Sequence, residues 1–149
     1  MANWYGTARS NYVKVKDVEA AIRDLAGCDI EIYTHPTETG YIMLAGCEDD
    51  GGFRFERYNE NDEFEEELDL KEWATKHLCE GQVLILVEVG AEKLRYVTGW
   101  STAYSWDGRI LTVNISSTLA TLIKTHWGID PERRDAKEKP DHTRHAVGL

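Results

Sequence analysis

The sequence predicts a single α+β domain with a mostly antiparallel sheet of six to seven strands and about three helices. Three observations predict it. Short segments alternate apolar and polar residues, other segments repeat apolar residues with helical spacing behind a capping residue, and turn-forming residues separate almost every pair. At 149 residues the chain has the commonest length of one domain. A chain of this size buries roughly 68–70% of its unfolded surface, so it needs neither metal nor disulfide to fold.

In chain order, Asn11–Lys16 sets Val13 and Val15 against Lys14 and Lys16, a half-buried strand. Asp17 then caps a helix carrying Val18, Ala21, Ile22 and Leu25 on one face, with Gly27 ending it. Strands follow at Asp29–Thr34, Tyr41–Ala45 and Gly52–Tyr58, separated by loops rich in turn formers. Asp69 caps a second helix, with Glu72 three residues on and Leu70, Trp73, Ala74 and Leu78 forming its apolar face. Gln82–Val89 is almost wholly apolar and reads as a central strand covered on both faces. A turn at Gly90–Lys93 leads into a long strand, Leu94–Trp106, and Asp107-Gly108 marks a hairpin into Arg109–Ile115. Ser116 or Ser117 caps a third helix with Leu119, Leu122, Ile123 and His126 at helical spacing. The domain spans residues 1–128, and residues 129–149, with Pro131 and Pro140 and no apolar period, form a polar tail.

The order helix, strand, strand, strand occurs over 17–58 and again over 69–115, either a duplicated αβββ unit or a coincidence of common elements. Helices on one face of the sheet are expected to bury Val83, Ile85, Val87, Ile22, Leu25, Trp73, Leu122 and Ile123.

Net charge is −10. Residues 48–69 hold eleven acids and two bases, Arg54 and Arg57, so nearly all the net charge sits in this one stretch. Direct nucleic-acid binding is disfavoured, since phosphates need a basic footprint. A basic protein surface is the favoured partner, for example a nucleic-acid-binding groove, with the chain a monomer or a homodimer. The candidate contact residues are Asp49, Asp50, Glu60, Asp62, Glu63, Glu65, Glu66 and Glu67. On a helix, Asp62, Glu66 and Asp69 would share a face with neighbours ~5–6 Å apart. On a strand, acids on one face would repeat at about 6.6 Å. Either spacing loosely imitates phosphates. The plainer reading of the same acids is a solvated loop.

Trp100, Tyr104 and Trp106 stand at even spacing with Tyr96, so they share a sheet face. Such a row packs beneath a helix or, left open, anchors a partner, and Trp100 and Trp106 join the candidate contacts on that ground. No cofactor or metal is expected. Cys28, Cys47 and Cys79 make no CxxC pair, His77 and Cys79 lack zinc spacing, His142 and His145 are isolated in the tail, and the acidic stretch lacks an EF-hand glycine. With no apolar leader and no run approaching ~20 apolar residues, a cytoplasmic location in the host cell is expected, with no membrane contact.

The stretches NWYGTARSNYVKVKD and VGAEKLRYVTGW resemble a group of small accessory proteins carried by phages and plasmids. The resemblance brings no catalytic motif. It implies a context in which such genes encode inhibitors of host defence, anti-CRISPR proteins among them, many of them small, acidic and non-enzymatic. A second class stays open: a small enzyme or ligand-binding domain that uses the open sheet face, with Arg9, Tyr96 and His35 as polar candidates.

Overall fold

The computed structural model describes residues 4–46, 52–92 and 96–133. In chain order its elements are β1 (Trp4–Ser10), β2 (Val13–Lys14), α1 (Val18–Arg23), β3 (Ile30–Thr34), β4 (Tyr41–Gly46), β5 (Glu56–Tyr58), β6 (Phe64–Glu67), α2 (Leu70–His77), β7 (Val83–Glu92), β8 (Tyr96–Ser105), β9 (Ile110–Asn114) and α3 (Ile115–Trp127). Seven strands make one antiparallel sheet, ordered β3, β4, β1 with β2, β7, β8, β9. Strands β5 and β6 stand apart as a two-stranded ribbon. The α+β antiparallel architecture is therefore present. The αβββ order also holds in both halves, but β5 leaves the main sheet to pair with β6, whereas β9 stays in it.

Strand β1 is central, between β4 and β7, although its sequence carries no strong apolar period. Its core-facing residues are Gly6, Ala8 and Ser10, and Ser10 is buried because its Oγ accepts the Leu44 amide at 2.8 Å. A one-residue register shift separates β1 from β2: Arg9 faces Ala45 and Val13 faces Ile42. Asn11 sits in the gap and locks onto β7, donating to the Val83 carbonyl at 2.9 Å and accepting the Ile85 amide at 2.8 Å.

One sheet face carries the core. Val13, Ile42, Leu44 and Leu84 are wholly buried beneath α1 and α2, which contribute Ala21, Trp73 and Ala74. The Trp73 indole donates to the Ala21 carbonyl at 3.1 Å, tying the two helices together. Asp17 and Asp69 cap their helices as expected: Asp17 accepts the Ala20 amide, and Asp69 accepts those of Lys71 and Glu72.

The opposite face departs from expectation. Among the described residues only α3 lies on it, so β7 is covered on one side, and Ile85 and Val87 are each 39% exposed. Leu122 is 47% exposed, while Val83, Ile22 and Ile123 are partly covered. Leu25 and Trp73 are buried as expected. A continuous apolar run does not distinguish a strand covered on both faces from one with an uncovered apolar side, and this is the uncovered case. The helices accordingly divide between the faces. The α3 cap is Asn114, not Ser116 or Ser117, because β9 ends one residue before the helix and the Asn114 carboxamide is already placed to accept both serine amides. Strand β7 runs through Gly90 to Glu92, since β1 pairs with it residue by residue as far as Trp4 opposite Glu92.

Candidate functional site

The acidic stretch is a strand ribbon, not a helix. Phe64–Glu67 pairs with Glu56–Tyr58, and all four β6 residues are exposed. Glu67 pairs with Glu56 and Glu66 with Arg57, and the register then slips so that Tyr58 faces Phe64, leaving Glu65 as the extra residue of a bulge that interrupts strict alternation. The connecting turn explains why a helix does not form. Asn59 Oδ1 accepts the amides of Asn61 and Glu63, and Asp62 takes a left-handed φ of 58°, which acidic and amide side chains tolerate.

An isolated two-stranded ribbon is marginal in water. Here Arg57 anchors it. Its guanidinium pairs with Glu66 at 2.6 Å and donates to the Asp24 carbonyl at the end of α1, while the Tyr58 amide bonds the Gly27 carbonyl at 3.3 Å. Gly27 has φ 85°, and a Cβ there would stand 2.8 Å from Arg57 Cγ, so the close approach requires glycine. The acids are therefore mounted on the helix-covered face of the domain.

Between ribbon and helices lies a groove of about 330 Å³ lined by Asp24, Arg57, Glu66, Asp69, Glu72 and Lys76 among others. Asp24 is its best-defined carboxylate. Lys76 at 2.8 Å and His77 at 2.6 Å both contact its Oδ2, and these hydrogen bonds, Lys76 first, lower its pKa from 3.8 to about 2.

Trp100 opens a second, aromatic cleft of about 180 Å³ on the same face, with Phe53, Phe55, Leu86, Glu88 and Tyr104. The Phe53 and Phe55 rings stack with centroids 5.5 Å apart, and the Phe53 amide donates to Glu88 at 2.7 Å. Phe55, Leu70 and Tyr104 continue from this cleft into a hollow that also contains Glu67 and Asp69. Burial, and then the Asp69 charge, raises the Tyr104 phenol pKa. Aromatic cleft and acidic ribbon are thus one continuous surface, joined through Phe55. Residue spacing carries no sign of that link, because Phe55 reads as an ordinary alternating strand residue.

The structure brings Glu63, Glu65, Glu66, Glu67 and Asp62 together on the ribbon, with Glu60 at its turn, whereas Trp100 lines the aromatic cleft, which meets the hollow beside Glu67 only through shared Phe55, Leu70 and Tyr104. Trp106 stands apart: six residues further along, it packs on the core and takes the Arg109 guanidinium on its ring at 5.5 Å. Asp49 and Asp50 lie outside the described residues, as does the Tyr96 side chain. Arg9 and His35 do not converge. Arg9 lies on the open face near the Met43 sulfur, and His35 organises the β3–β4 turn by accepting the Glu38 amide at 2.9 Å. His77 is engaged with Asp24, and burial raises the Cys28 thiol pKa. Among the described residues no three metal-ligating side chains gather, and no helix is long and apolar enough to cross a membrane.

Comparison with protein-family models, with curated proteins and with solved structures returned no match.

Proposed function

We propose that this is a non-catalytic binding protein of a phage or plasmid, which inhibits a host defence protein of CRISPR type, or another nucleic-acid-handling protein, by placing its acidic ribbon in a basic groove. One observation carries the reading: an anchored strand of exposed acids borders, at Glu67, a hollow that shares Phe55, Leu70 and Tyr104 with an aromatic cleft. Fixed carboxylates steer a basic partner into encounter and set its register. Exposed charge pairs add little affinity. The cleft supplies what charge lacks, because a partner side chain buried against Trp100, Phe53 and Phe55 is desolvated in the manner of an interface hot spot.

The alternative, an enzyme or ligand-binding domain on the open sheet face, has less behind it. That face presents Ile85, Val87 and Val89 rather than convergent polar groups.

The test replaces Asp62 with Asn and Glu63, Glu65, Glu66 and Glu67 with Gln, then compares capture of host-lysate proteins by parent and variant, with mass-spectrometric identification. The parent should retain a basic, nucleic-acid-handling protein and release it steeply between roughly 50 and 500 mM salt. The variant should fold, by circular dichroism, and fail to retain it. Equal capture with equal salt dependence would reduce the ribbon to a solvated loop.

A further inference from the structure

The acidic ribbon and aromatic cleft use only one side of the sheet. On the other side two unprotected features meet.

The first is an edge. Strand β9 ends the sheet order, so among the described residues no strand pairs with its outer side. Its five residues, Ile-Leu-Thr-Val-Asn, are all exposed. Proteins usually guard such an edge with charge, proline or a bulge. This one has none of these, and its pairing with β8 is regular from Tyr104 opposite Ile110 to Trp100 opposite Asn114.

The second is an apolar surface continuous with that edge. Leu111 and Val113 point to the face that carries Val87 and Val89, and α3 starts immediately after β9. Ile115 inserts over Gly99, where a Cβ would stand 2.3 Å from Ile115 Cδ1, so the helix begins pressed onto β8. Of α3 only Ala120 is buried. Leu119 at 52%, Leu122 at 47% and Trp127 at 71% exposure face water instead, and Ile115, half covered at Gly99, is still 53% exposed. Together with Leu111, Val113, Ile85, Val87 and Val89, these residues expose roughly 800 Å², about what one partner contributes to a standard stable interface.

We propose that a second copy of this chain covers this surface, with β9 pairing antiparallel to its symmetry mate and the two α3 helices packing beside the joint. An antiparallel strand pair is self-complementary about a two-fold axis, which is the condition for an isologous dimer. Charge favours the arrangement. The strands and helix involved carry no acid between Ile110 and Trp127, and their single lysine is Lys124. The two strongly negative ribbons lie on the opposite face and are not brought into contact. Residues 134–149 are a poor alternative cover, since Ala136, Ala146, Val147 and Leu149 are the only apolar side chains there apart from glycine and proline. Such a dimer extends two sheets into one and displays two acidic ribbons, so a partner with two basic grooves is engaged bivalently.

The experiment is light scattering coupled to size exclusion, with sedimentation velocity, on the full chain over ~1–200 µM, a range that brackets a micromolar dissociation constant. Two variants accompany the parent: Leu111→Lys with Val113→Lys on the edge, and Leu122→Glu on the helix, all exposed positions whose change leaves the core untouched. The parent should have twice its 17.0 kDa chain mass, and both variants should fall to half that value with an unchanged circular dichroism spectrum. A parent of 17.0 kDa throughout would overturn the dimer and leave the face to the chain's own tail or to a different protein. A parent dimer that survives both substitutions would also overturn it, because the joint would then lie elsewhere. If either variant unfolds, Thr112→Cys, at the centre of β9 and so opposite its own copy about the two-fold axis, settles the matter. Oxidation should yield a disulfide-linked dimer from that residue, and its absence in a dimeric protein would count against β9 pairing.

Discussion

The two faces of the sheet are built from neighbouring residues of the same strands, yet they differ in almost every physical respect. On β7, Leu84 is fully buried beneath the helices, while Ile85 beside it is 39% exposed. The covered face supports two helices, the aromatic cleft and the acidic ribbon. The bare face carries one loosely seated helix. Alternation along a strand assigns residues to sides, but which side becomes core depends on what the rest of the chain brings over it. Here the structure stores its stability on one side, and that side also mounts its charge.

The sharpest way to break this comparison is to truncate adjacent residues. Leu84→Ala should cost about 2–5 kcal/mol in denaturant unfolding, since a wholly buried leucine leaves a cavity. Ile85→Ala, measured where the protein is dilute, should cost under about 1.5 kcal/mol because part of that side chain already meets water. Equal costs would mean that the bare face is core after all.

A smaller effect is expected at the one point where the bare face is tightly packed. Gly99→Ala places a methyl against Ile115 and within 3.2 Å of Val89 Cγ1, so α3 must shift or Ile115 must change rotamer. A loss of about 1–3 kcal/mol should follow, with reduced helical signal. Smaller again is the α2 cap: Asp69→Ala removes the acceptor of the Lys71 and Glu72 amides and should lower stability by about 1 kcal/mol.

How far the sequence reveals these faces depends on the kind of signal each residue carries. The caps of α1 and α2 and the Asp107-Gly108 turn are legible because their chemistry is local, whereas the α3 cap, Asn114, is hidden by two serines that follow it. Asp17 and Asp69 announce helix starts, and Asp107-Gly108 marks a turn in which Gly108 does take φ 87°. Strand β1 was not legible, because its core side is Gly6, Ala8 and Ser10, small enough to sit between neighbouring strands and too small to print an apolar period. The bare face was misread for the opposite reason. Its apolar residues print a strong period that says nothing about whether a helix arrives to cover them. The acids of the site were plain from charge density alone, whereas their conformation hinged on the Asn59 turn and on Arg57 reaching α1. The link to Trp100 through Phe55 is tertiary and leaves no trace in spacing.

The Asp24 cluster gives the smallest effect and a test by pH. Its carboxyl titrates near 2 instead of 3.8, so the folded state holds this proton less tightly than the unfolded chain. The stability it contributes is complete above pH 3.8 and fades as pH falls through that value toward 2. Asp24→Asn should therefore flatten the acid limb of the stability curve in that window, as read by thermal melts at closely spaced pH values. An unchanged limb would show that Lys76 and His77 do not hold Asp24 in solution.

The measurement that bears most directly on the division between faces separates the position of charge from its amount. One variant neutralises Asp62, Glu63, Glu65, Glu66 and Glu67 on the ribbon. Another neutralises five exposed acids away from it: Glu19, Glu38, Glu80, Asp130 and Glu132. Each reduces the net negative charge of −10 by five. Titrating parent and both variants with a polylysine peptide near physiological salt, where charges farther apart than ~8 Å are largely screened, makes local arrangement decisive. The ribbon variant should bind at least about tenfold more weakly than the distal one, a difference of roughly 1.4 kcal/mol. Equal loss in the two would show that net charge alone governs binding, and the ribbon would hold no site.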